Sequence, residues 1–146
     1  MSENGLTAEK PSYVNEAPQA IYSRDSTKVL LYFAASETYT SYYCEGMAVA
    51  DADADLTNPF AWKKISRPVF SSDPTVAAYG AGHISFFNQD SENNTYIIYQ
   101  AYSESGLDCL DNRSPRMQKI TWDEDGIPVL GTPVPLGMPV PEPIIK

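Results

Sequence analysis

Short apolar runs alternate with polar turns along the chain, and the order of runs and turns occurs twice. The first set comprises Ala20–Tyr22, Val29–Ala34, Met47–Ala50 and Trp62–Ile65; the second comprises Ile84–Phe87, Tyr96–Tyr99, Met117–Ile120 and a weaker Ile127–Leu130. These runs are rich in Ile, Val, Tyr and Phe and are bounded by Asn, Asp, Ser and Gly, which predicts eight short β-strands in two groups of four. Gln19 and His83, Asp25 and Asp90, Tyr32 and Tyr99, and Trp62 and Trp122 fall 60 to 67 residues apart, a drift that loops of unequal length produce.

A repeat of this size points to stacked supersecondary units, and four strands per unit is the signature of a propeller blade. A plain β-sandwich fits the same spacing, so the pattern alone leaves both open. The units run from about 13 to 78 and from about 79 to 134. Residues 1–12 form a polar leader that reads as disordered, and the proline-dense 135–146 reads as an extended tail lying on a surface.

At 146 residues with 42% hydrophobic side chains the chain can build a core. Ten Lys and Arg against nineteen Asp and Glu give a net charge of −9, which repels a phosphate backbone and argues against nucleic-acid binding. No apolar run approaches the roughly 20 residues of a membrane-spanning helix, and the leader lacks the apolar region of a signal peptide.

Cys44 and Cys109 occupy equivalent places in the two units. They read either as two free half-buried thiols or as a disulfide, which requires Cα atoms within about 7 Å. Asp51, Asp53 and Asp55 resemble the start of a calcium loop, but Leu56 stands where that loop needs Gly and Trp62 where it needs Glu, so a solvated acidic loop is expected. Asn93-Asn94-Thr95 and Asn112-Arg113-Ser114 match the N-glycosylation acceptor, a pattern of secreted chains. Glu16 lies at the start of one predicted strand and His83, the sole histidine, at the start of its equivalent. In a propeller both would point at the axis, where a carboxyl held among aromatics has a raised pKa and can act as a general acid; a rim glutamate and a satisfied core histidine are the bland alternatives.

Five motifs then align in order: Val14-Asn15-Glu16-Ala17-Pro18-Gln19, Tyr42-Tyr43-Cys44-Glu45-Gly46-Met47, Pro68-Val69-Phe70-Ser71-Ser72, Tyr79-Gly80-Ala81-Gly82-His83, and the run from Arg113 through Gly126. Together they resemble glycoside hydrolase family 43, nearest in pattern to its exo-acting α-L-arabinofuranosidases. The resemblance implies an all-β five-bladed propeller, of which this chain carries about two four-stranded blades, and inverting hydrolysis of arabinose side chains on plant polysaccharide. It implies that Glu16 is the general acid, that Arg113 binds a hydroxyl of the terminal sugar, with Arg116 the poorer candidate, and that His83 lies on the pocket floor. His83 would there hold a hydrated, structural calcium ion in some members. It further implies secretion of the full-length protein.

Ala17 and Ala81 replace small residues common in the family. An inverting glycosidase also needs a second carboxylate about 6.5–9.5 Å from the acid. By resemblance that base is an Asp of the first blade, and no position here matches it. The chain therefore reads as the carboxy-terminal part of such an enzyme, from a truncated product or gene model, with its remaining blades supplied elsewhere. Asp73, Asp108 and Asp111 are the loop carboxylates left as substitutes for the base. A carbohydrate-binding remnant without chemistry and a β-xylosidase-like member of the same family are the alternative readings.

Overall fold

The computed structural model describes residues 13–88, 90–105, 112–141 and 143–144; the leader, Cys109, Asp108 and Asp111 lie outside them. One sheet is built from β1 (Asn15–Tyr22), β2 (Lys28–Ala35), β3 (Cys44–Asp51) and β4 (Lys63–Lys64), the other from β5 (Tyr79–Asn88), β6 (Thr95–Tyr102), β7 (Arg113–Trp122) and β8 (Pro128–Val129). Each is an antiparallel meander in chain order, with no strand crossing from one sheet to the other. That is blade topology rather than the Greek key of a sandwich.

The first turn of each unit uses the same device. The Asp25 carboxylate accepts from Ser23 Oγ at 2.7 Å and from the Thr27 amide at 3.0 Å. Asp90 accepts from the Glu92 and Asn94 amides at 2.9 and 3.0 Å. A short acceptor side chain satisfies turn amides that the strands cannot, which is why Asp recurs at these corners.

Alternation then sorts the side chains. Leu30, Tyr32 and Ala34 of β2 are buried on one face. Leu30 and Tyr32 join Met47, Ile84, Ile97, Tyr99 and Ile120 in one core between the sheets. The Tyr32 ring packs against Phe86 and the Phe70 ring edge-on against Tyr99, both with centroids 4.8 Å apart. Each such buried ring contributes roughly 1.5–3 kcal/mol of transfer free energy.

Three strands exceed their expected limits. β1 begins before Pro18, β5 runs through Gly80-Ala81-Gly82, and β7 includes Pro115. Proline is tolerated because β1 is an edge strand whose pairing shifts between Glu16 and Gln19, and because β8 pairs β7 only at Thr121 and Trp122, leaving the edge beside Pro115 open. Beyond β8 the tail is fixed across the second sheet. Gln118 Nε2 donates to the Leu130 carbonyl at 2.7 Å, Arg116 Nη1 to the Val134 carbonyl at 2.7 Å, and the Val134 amide to the Tyr99 hydroxyl at 2.8 Å.

Candidate active site

The inner strands of the two sheets meet where the Phe86 amide donates to Gln19 Oε1 at 3.1 Å. Glu16 and His83 each lie three residues before that bond. Each also sits at a break in pairing, with Ala17 at φ 49° and His83 at φ 56°. A bulge of this kind re-aims the side chain beside it, and both Glu16 and His83 are exposed at the same end of their strands.

Tyr43, fully buried just before β3, joins the two strands. Its hydroxyl donates to Glu16 Oε1 at 2.7 Å. Burial first, and then the hydrogen bond to Glu16, raises the Tyr43 pKa, so the phenol stays a donor at neutral pH. Its ring lies on Gly82. A Cβ at that position would come within 3.0 Å of Tyr43 Cε1 and 3.2 Å of the Cys44 carbonyl carbon, so any side chain there would press the tyrosine or its backbone aside by a few tenths of an ångström.

Arg113 opens β7, where Nη1 donates to Thr38 Oγ1 at 3.0 Å. Gln100 Nε2 donates to the same hydroxyl oxygen at 3.2 Å, and the Tyr102 hydroxyl to the Thr38 carbonyl at 3.0 Å. The loop after β2 is thereby tied to the second sheet. His83, Gln100, Arg113 and Ile98 line an open cleft of about 420 Å³. The Arg113 charge is felt at Tyr43, whose pKa it lowers against the larger upward effects. A larger cavity of about 500 Å³, lined by Tyr22, Arg24 and Trp122, opens at the other end of β1 and has no carboxylate in its wall.

Arg116 is instead buried, donating to the carbonyls of Val134, Ala77 and Tyr102, and is a structural clamp. Asp73 caps the short helical turn Pro74–Val76 by accepting from the Thr75 amide at 2.9 Å. Asp51 pairs with Lys28, and Asp55 accepts from the Thr57 amide, as a solvated loop would have it. One expectation is corrected: Glu16 is not held among aromatics but is exposed, with Tyr43 as its aromatic partner, because β1 is the edge of its sheet.

Calcium takes six to eight oxygen ligands. Among the described residues no three His, Cys, Asp or Glu side chains converge, and the cleft beside His83 holds the Arg113 guanidinium. These donors do not fit a protein-liganded calcium ion.

Two participants were given no role in the sequence, where Tyr43 and Glu45 appear only within the motif Tyr42-Tyr43-Cys44-Glu45-Gly46-Met47. Glu45, a charge inside the apolar run Cys44-Glu45-Gly46-Met47, is wholly buried, and burial pushes its carboxyl up to about 8.

The chain matches the Glycosyl hydrolases family 43 model over residues 2–128. It is 38% identical over 143 residues to an extracellular exo-α-(1→5)-L-arabinofuranosidase of Streptomyces avermitilis, covering 94% of this chain and 29% of that protein. It is 33% identical over 151 residues to α-L-arabinofuranosidase B of Pyricularia oryzae, covering 92% of this chain and 31% of the relative. The chain thus spans less than a third of the length of these two relatives. Among solved structures, an α-L-arabinofuranosidase of Lactobacillus brevis superposes with a TM-score of 0.79 at 30% identity, over 89% of this chain and 43% of that one. Two meander blades, their inner strands joined through Glu16, Tyr43 and Gly82, and a family match over residues 2–128 place the chain in glycosyl hydrolase family 43.

Proposed function

We propose that this chain supplies the acid side of an inverting, arabinofuranosidase-like active site acting on arabinose-containing polysaccharide or oligosaccharide outside the cell. The observation that carries the reading is the Tyr43 hydroxyl fixed 2.7 Å from Glu16 Oε1. A general acid must lie within hydrogen-bond reach of the oxygen it protonates, and an anchor on one carboxyl oxygen leaves the other to face the glycosidic oxygen. Tyr43 is braced by its own burial and by Gly82, which leaves Glu16 Oε2 for that task.

Arg113 binds a hydroxyl of the terminal sugar. Thr38 fixes one nitrogen of its planar guanidinium, and among the described residues no partner takes the remaining N–H groups, which can form charge-assisted bonds. His83 lies in the same cleft and contacts the sugar ring. The base that activates water on the opposite face of the sugar comes from a further blade of the ring. Among the described residues the wall of the cleft carries no carboxylate, and Asp73 is engaged in its cap, so neither supplies that base.

In a ring completed with the amino-terminal blades of a related family member, Arg113→Ala should lower kcat/KM by about 1.5–3 kcal/mol, or roughly tenfold to 150-fold. The hydroxyl contact is made whatever the leaving group. Steady-state rates on an activated aryl arabinofuranoside and on an arabino-oligosaccharide should therefore fall alike, and an unchanged rate on both would remove Arg113 from the subsite.

A further inference from the structure

The cavity at the far end of β1 has no part in the proposed active site, yet at about 500 Å³ it exceeds the cleft beside His83 and has the size of a small-molecule site. Tyr22 stands six residues beyond Glu16, which at about 3.3 Å per residue puts the cavity roughly 15–20 Å from the acid. Both units build its wall: Tyr22 ends β1, Arg24 lies in the turn that follows, Thr95 begins β6 and Trp122 ends β7.

The wall is fixed without its polar groups being used up. Trp122 Nε1 donates to Thr95 Oγ1 at 3.2 Å, which holds the indole in one orientation. The Arg24 guanidinium lies over that ring, 5.5 Å from its centre, and the Arg24 amide donates to the Gly126 carbonyl at 2.9 Å. Gly126 is left-handed, and a Cβ there would stand 3.0 Å from the Arg24 nitrogen and 3.1 Å from its Cβ, so a larger residue would push the arginine away. Among the described residues no carboxylate pairs with Arg24, since the adjacent Asp25 is engaged by Ser23 and Thr27. Asn93 lines the cavity from a left-handed position in the turn before β6, and the Tyr22 ring is 59% exposed.

An open aromatic ring beside a planar guanidinium and a carboxamide matches a sugar, whose C–H face packs on the ring while its adjacent hydroxyls bond the polar pair. A purely apolar ligand would strip water from the guanidinium without replacing it, and the net charge of −9 opposes a polyanion. We propose that this cavity is a second sugar-binding site, which takes a neutral pentose oligosaccharide and holds the polysaccharide apart from the Glu16 cleft. The choice of a pentose rests on the proposed arabinofuranosidase reading; the sugar site itself rests on the cavity.

The chain has two tryptophans, which report separately in NMR spectra. Trp62 Nε1 donates to the Leu56 carbonyl at 3.0 Å, away from the cavity, and is the internal control. Titrating the 146-residue chain with α-1,5-linked arabinotriose, and in parallel with xylotriose, should move the Trp122 indole signal to saturation with at least one of them and leave that of Trp62 in place. Arg24→Ala and Tyr22→Ser should each raise the midpoint by about tenfold, the weight of one charge-assisted bond or one ring contact. Should either variant not fold, the other decides. Glu16→Gln and Arg113→Ala, at the opposite end of the strands, should leave the midpoint unchanged. No saturable shift at Trp122 with either sugar, an equal shift with mannitol, or a shift lost in Arg113→Ala but kept in Arg24→Ala overturns the proposal. The arabinofuranosidase reading is judged by hydrolysis in a completed ring, so the two can fail separately.

Discussion

Glu16→Gln, placed in a completed ring, should depress hydrolysis of natural arabinosides by about 10²–10⁴-fold while leaving substrates with an activated phenol far less affected. A sugar alkoxide is a poor leaving group and needs the proton as the bond breaks; a nitrophenolate departs without it. Glutamine retains the shape of Glu16 and its hydrogen bond from Tyr43, so the loss isolates the proton rather than the fold. The measurement is kcat/KM on both substrate classes for wild type and variant. Equal loss on good and poor leaving groups would demote Glu16 to a pocket-lining contact.

Glu45→Gln should have its largest effect on stability, and with a definite pH dependence. The unfolded carboxyl ionises near 4.5, whereas in the fold it keeps its proton up to about 8. Across that interval the unfolded state binds fewer protons than the native state, so stability falls as pH rises and levels off above 8. At 1.36 kcal/mol per pKa unit the loss over that interval is on the order of 5 kcal/mol. Asp25, Asp55 and Asp90 are all held below the usual carboxylate range, and their stabilisation is complete by pH 5. The window from pH 5 to 8 therefore belongs to Glu45. Urea midpoints should decline with pH for the wild type and much less for Glu45→Gln, leaving the variant the more stable at pH 8. Parallel pH profiles would mean that the carboxyl is solvated rather than buried.

What was legible in the sequence followed from local chemistry. The Asp25 and Asp90 turns and the β-branched and aromatic runs between them are short-range signals, and the strands stand where those signals put them. The strand starts were illegible because Pro18, Pro115 and Gly80-Ala81-Gly82 read as breakers, and only the sheet edges and bulges explain why they are tolerated. Glu16, His83 and Arg113 were marked by their motifs. Thr38 lies in a polar loop with no pattern, and its role depends on contacts with residues over 60 positions away. Tyr43 was hidden for the opposite reason: its ring packs like any core tyrosine, and only its hydroxyl, 27 residues from Glu16 along the chain, shows its part in the site.

The central claim is that this chain holds the acid and needs a base from a further blade. It is tested most directly by measuring hydrolysis of an aryl α-L-arabinofuranoside by the 146-residue chain alone and again after joining it to the amino-terminal blades of a related family member. The account predicts background rates for the chain alone and hydrolysis with inversion once the ring is complete. Glu16-dependent activity from the chain alone, abolished by Glu16→Gln, would contradict it, since a second carboxylate would then have to lie within these residues.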